Sequence, residues 1–164
     1  MSTRNAVAGN DVTSSTLAEA IPPGASLLID TSVALAYLTG TEPVSPAATR
    51  LFDEFVATGR DRAALSVVTV GEILVRPFRT GPAAVAIAEG FLRHFGEIEL
   101  VAVDYAIARE AADIRARTGL RMPDALILSS ALARAVDMLV TNDRSLRTAG
   151  LDLGLNVCLL ADVP

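Results

Sequence analysis

At 164 residues, 51% hydrophobic and with a net charge of −5, the chain is the size of one domain whose core needs no disulfide or metal staple. All 14 basic residues are arginine, which excludes a Walker P-loop, a Schiff-base enzyme and a lysine-dependent receiver switch, while one histidine (His94) and one cysteine (Cys158) are too few for a Cys/His zinc site and suggest no triad. The acidic balance counts against a protein that coats nucleic acid, and less against a nuclease that grips phosphate through a few local arginines and a metal.

Residues 1–26 read as a polar, flexible N-terminal extension closed by Pro22-Pro23-Gly24, without the apolar core of a secretory signal. No apolar stretch reaches the length of a membrane span, and a single cysteine suits a reducing cytoplasm. Residues 27–164 are expected to form the folded domain. Leu27-Leu28-Ile29 is an uncharged run ending in Asp30-Thr31-Ser32. Such a run suits a strand covered on both faces, hence a parallel sheet in an α/β fold. Asp30 then sits at a strand's carboxyl end, where ligands collect, although Asp also commonly caps a helix.

A short helix is predicted over 33–38, a turn region over 39–46 and an amphipathic helix over 47–57, with Leu51 and Phe55 inward and Arg50, Asp53 and Glu54 outward. Strand 63–66 leads into helix 67–78, whose stripe is Val70, Ile73 and Leu74; Pro77 and Gly81-Pro82 are read as breaks. Helix 83–95 stops at Gly96, strand 98–103 ends at Asp104, and Ile107, Ala111 and Ile114 mark a helix ending near Gly119. Pro123 opens a helix over 124–136. Strand 138–140 precedes Thr141-Asn142-Asp143, a short helix covers 145–149, and strand 157–160 contains Cys158, read as a small buried hydrophobe. The hydrophobic surplus suggests that some apolar surface meets another chain.

Four acids stand out: Asp30, Glu72, Asp124 and Asp143. Each has a purely structural alternative: Asp30 as a helix cap, Thr69-x-x-Glu72 as a capping box, Asp124 as a partner of a helix dipole, Asp143 as the cap of helix 145–149. Together, their places allow convergence on one edge of a parallel sheet. Gathered carboxylates repel and raise one another's pKa unless a cation joins them. Oxygen donors without Cys or His favour Mg2+ or Mn2+, and the chemistry expected is phosphodiester hydrolysis.

Ile29-Asp30-Thr31-Ser32, Ser66-x-x-Thr69-x-x-Glu72, Pro123-Asp124-Ala125 and Val140-Thr141-Asn142-Asp143, in that order and spacing, closely resemble the PIN-domain family, and in size the VapC-type toxins of bacterial toxin–antitoxin pairs. The resemblance runs from about Leu27 to Leu160. It implies a three-layer α/β/α domain with a mainly parallel central sheet, acting as a Mg2+- or Mn2+-dependent endoribonuclease. It also implies a metal pocket of Asp30, Glu72, Asp124 and Asp143, with Asp30 and Asp124 as direct ligands and Glu72 and Asp143 acting through waters. The resemblance also gives Thr141 the part of orienting the pocket, with Thr31 or Ser32 assisting.

The resemblance further implies RNA as substrate, a homodimer, and a cognate antitoxin that wraps the toxin and reaches its site; helix 47–57 is a candidate for the apolar contact. Arg121, Arg144 and Arg147, close in sequence to site acids, are candidates for RNA phosphates. The extension before residue 27 departs from the family pattern. The alternative function is a PIN-like RNA-binding or scaffolding module without turnover. A haloacid-dehalogenase-like phosphatase is disfavoured, since Ser32 stands where that family has a second Asp.

Overall fold

A computed structural model describes residues 16–95 and 98–163. Five strands, β1 (Ser26–Ile29), β2 (Arg62–Ser66), β3 (Glu99–Val101), β4 (Met138–Thr141) and β5 (Val157–Leu159), form one sheet in the order β3-β2-β1-β4-β5. Every neighbouring pair is parallel, with Leu28 opposite Ala64 on one side and Leu139 on the other. Helices cover both faces, giving the three-layer α/β/α architecture expected.

The uncharged runs are explained by that double covering. Leu27 and Ile29 point into one core with Leu65, Val140 and Cys158, against α2 (Thr31–Thr39), α3 (Ser45–Arg50), α4 (Val67–Thr80) and α5 (Pro82–His94). Leu28, Ala64 and Leu139 face the other way, against α6 (Tyr105–Thr118), α7 (Met122–Ala133) and α8 (Arg144–Asp152). A strand buried on both faces has no polar side to alternate with. Cys158 is buried, its thiol pushed up to about 11 by desolvation, so it packs as a small apolar side chain, as expected.

Several boundaries differ from the sequence expectation. Residues 1–15 of the expected extension, and the expected stop at Gly96, lie outside the described residues. Within 16–26, however, the chain forms helix α1 (Leu17–Ala20), with Leu17 and Ile21 fully buried in the first core. A clasp from the β2 turn holds this segment. Asp61, buried and ion-paired with Arg60, accepts from the Ala25 N–H at 2.9 Å, while Arg60 donates to the Ile21 carbonyl at 2.7 Å and lies over the Phe55 ring.

Helix α4 continues through Pro77 to Thr80 instead of breaking there. Pro77 falls in the last turn, where its missing amide forfeits one bond, and the stop comes at Gly81 (φ 135°). Helix 124–136 ends earlier, at Ala133, and helix 145–149 extends over Arg144–Asp152. Residues Leu51–Val56 form a π-helical turn after α3. That turn buries Leu51, Phe52, Phe55 and Val56, so helix 47–57 leaves no large apolar side chain exposed for a partner. Exposed apolar side chains stand instead on α4 and α5, with Phe78 67% and Ile87 72% exposed, and singly on β3 (Leu100), α6 (Tyr105) and α8 (Leu151).

Ala135, after α7, adopts φ 46°. A Cβ in the left-handed region costs about 1–2 kcal/mol, against a smaller entropic penalty for introducing glycine. Ala135→Gly is therefore expected to stabilise the fold by about 0.5 kcal/mol, seen as a rise of roughly 1–2 °C in Tm; an unchanged or lower Tm would show that the turn carries no strain.

Candidate active site

The edge at the carboxyl ends of β1, β2 and β4 assembles the site from loops that the sheet holds in place. The sheet order reverses direction beside β1, and such switch points open the crevice in which α/β proteins bind ligands. The Asp30 N–H donates to the Val140 carbonyl at 2.9 Å, which locks the end of β1 to β4 and sets Asp30 beside Thr141.

Asp30 is the most buried of the four acids, at 4% exposure. Its Oδ2 accepts from the hydroxyls of Ser32 at 2.6 Å and Thr141 at 2.8 Å. It occupies the N-cap position of α2 but makes no capping hydrogen bond; the Thr31 and Ser32 amides lie near enough to favour its charge without completing one. Desolvation outweighs all these donors and raises its pKa above the ordinary 3.8. The capping alternative therefore fails as an account of why Asp is needed here.

The hydroxyls act as struts between the loops. Thr141, fully buried, also accepts from the Asp143 N–H at 3.0 Å, and Ser32 accepts from the Asn142 N–H at 3.0 Å. Thr31 donates to Glu72 Oε2 at 2.5 Å and lies 3.0 Å from Thr69 Oγ1. Since the N-cap of α4 is Ser66, not Thr69, Glu72 takes no part in a capping box and its bonded oxygen turns to α2. Asp143 does cap its helix, with Oδ1 accepting from the Ser145 and Leu146 amides at 2.7 and 3.1 Å.

Asp124, in the first turn of α7, is gripped by Arg121, whose Nε and Nη2 donate to its two carboxylate oxygens at 3.0 and 3.3 Å. The charges of Glu72 and Asp143 also act on Arg121, and together with Asp124 hold its guanidinium above its ordinary value. Arg144 and Arg147, by contrast, pair with Asp162 at 3.8 and 4.0 Å. Of the three arginines singled out in the sequence, only Arg121 forms an ion pair with one of the four acids among the described residues.

Among the described residues, no three His, Cys, Asp or Glu side chains are grouped as around a metal ion. The donors are nonetheless all oxygens, and one of them, Asn142 Oδ1, is buried without a hydrogen-bond partner. In chemistry this set fits a hard divalent cation and no soft one. Ser32, Thr69 and Asn142 belong to the network with less notice from the sequence, because their contacts join segments more than thirty positions apart, except for Ser32 on Asp30.

A model of the PIN domain matches residues 27–151. No curated protein matches the chain. Among solved structures, the chain is similar to a toxin–antitoxin complex from Klebsiella pneumoniae (20% identity, 71% of this chain and 86% of that one, TM-score 0.56). It is also similar to VapBC2 from Rickettsia felis bound to a DNA fragment from its promoter (14% identity, 81% and 97%, TM-score 0.62). A third is VapC20 from Mycobacterium tuberculosis, a sarcin-ricin-loop-cleaving toxin (19% identity, 76% and 95%, TM-score 0.61). At these identities the likeness is one of fold.

Proposed function

The chain belongs to the PIN domain family, and from that premise we propose that it is a metal-dependent endoribonuclease acting as the toxin of a toxin–antitoxin pair. The observation that carries the reading is the strut system: Thr141 ties Asp30 to the Asp143 loop and Thr31 ties the same β1 end to Glu72. Asp124 joins through Arg121, on which the charges of Glu72 and Asp143 also act.

In this reading Asp30, Glu72, Asp124 and Asp143 hold Mg2+ or Mn2+, with Thr141 fixing the Asp30 carboxylate. The ion would polarise the phosphodiester and make water a nucleophile near neutral pH. Everything else falls to the chain's own residues. Ser32 and Thr141 both donate to Asp30 Oδ2, which fixes the side chain's rotation and favours its charged form against burial. Glu72 is held at one oxygen by Thr31, leaving the other to accept from water or substrate.

The substrate is RNA, recognised through its backbone more than by stacking. Of the seven aromatic residues, Tyr37, Phe52, Phe91 and Phe95 form one core cluster, Phe55 is buried, and only Phe78 and Tyr105 are strongly exposed. The homodimer and the antitoxin require apolar surface, and Phe78, Ile87 and Val75 offer it. Among the described residues no helix is long and apolar enough to cross a membrane, which suits work in the cytoplasm.

The test is cleavage of a total-RNA pool by purified protein with Mg2+ or Mn2+, with EDTA, and with an Asp124→Ala variant whose fold is checked by circular dichroism. Cutting that needs the metal and disappears in the variant is the expected result. RNA binding without cutting under either metal would replace this reading with a scaffold that lacks turnover.

A further inference from the structure

Arginine is a poor choice for position 121. The residue is the N-cap of α7, with φ −66° and ψ 153°, and it supplies no side-chain cap. Ser, Thr, Asp or Asn there would stabilise the helix by about 1 kcal/mol. A cation at this end also opposes the helix dipole. What offsets both penalties is the carboxylate edge: the guanidinium meets Asp124 through two N–H groups, and the charges of Glu72 and Asp143 lie within its field.

The tether is strong in geometry and weak in energy. The Arg121 side chain is 76% exposed, whereas that of Asp124 is 16% exposed. Water and salt screen such a pair to about 1 kcal/mol or less, so the arm can swing away while Asp124 stays.

We propose that Arg121 is the exchangeable counter-ion of this edge, holding Asp124 while no divalent cation is bound and yielding it when one arrives. The inference rests on the metal-dependent reading above and adds a competitor to it. The guanidinium fork draws on both oxygens of Asp124 and sets a full positive charge beside the place a divalent cation would take, so apparent metal affinity is lowered by the cost of releasing the arm. Two positive groups crowded on one side of the pocket would also repel, which drives the arm outward once the ion is in place.

The test needs no substrate. Free Mn2+ is followed by its electron paramagnetic resonance signal during titration of wild type, Arg121→Gln, Arg121→Lys and Asp124→Asn, at low salt and without RNA. Arg121→Gln is expected to tighten Mn2+ binding roughly three- to tenfold, the span open to an exposed ion pair and its neighbours. Arg121→Lys, which keeps the charge and loses the fork, should lie between it and wild type, and Asp124→Asn should bind most weakly. Wild type and Arg121→Gln binding Mn2+ equally, or the variant more weakly, would overturn the inference and leave the metal-dependent reading intact. No binding to either protein would overturn both.

Discussion

Replacing Asp30 with Asn is expected to abolish RNA cleavage and, in EDTA, to raise thermal stability. The carboxylate is 4% exposed, and burial lifts its pKa above 3.8 in spite of two hydroxyl donors. A charge kept in so dry a place weakens the fold, and the neutral isostere removes that strain while its carbonyl still accepts from Ser32 and Thr141. The gain is on the order of 1 kcal/mol, or about 2–4 °C in Tm. Cleavage should fall by on the order of 10³-fold, the scale on which a group that handles charge in the transition state is missed.

The sign of the pH dependence provides a second check on the same pair of proteins. Below 3.8 Asp30 is protonated both folded and unfolded, so it contributes no difference. As pH rises from 3.8 through the raised folded value, the unfolded chain gives up its proton first, and wild-type stability falls relative to Asp30→Asn. The Tm gap should therefore open with pH over that window and stay constant above it. A gap that narrows as pH rises would mean that Asp30 is stabilised, not burdened, by its surroundings.

Phe52→Ala is expected to be the most destabilising single truncation in the core. Phe52 is fully buried, with ring centroids 4.7 Å from Tyr37, 5.3 Å from Phe91 and 5.5 Å from Phe95. Two of these contacts are edge-to-face, the arrangement that ring quadrupoles prefer. Removing the ring costs about 3–5 kcal/mol, a fall of roughly 10 °C in Tm for a chain of this size. A fall of only a few degrees would indicate that α5 collapses into the space; chemical denaturation with an unchanged m-value would separate that from a change in the unfolded state.

The parts of the fold legible in the sequence are those decided locally. β1 and β4 are continuous apolar runs because both faces are covered. The places of the four acids followed from where those runs stop. Helix α1 was not legible, since it has four residues and its burial is decided by Arg60 and Asp61, some forty positions away. The π-helical turn at Leu51–Val56 was equally hidden, because one extra residue per turn leaves no trace in a 3.6-residue reading. Nor did proximity in sequence rank the arginines. Arg144 is adjacent to Asp143 yet turns to Asp162, while Arg121 pairs with Asp124 and feels the charge of Glu72.

Asp30 and Thr141, joined at 2.8 Å, are 111 positions apart in the chain. Parallel pairing of β1 with β4 cannot begin before both have been synthesised, and ribosomes add about 5–20 residues per second. For roughly 5–20 seconds, then, each new molecule carries Asp30 without the strut that orients it. The edge that holds Asp30 is therefore completed only after Thr141 has been added, and on the proposed nuclease function a shorter nascent chain would cut nothing.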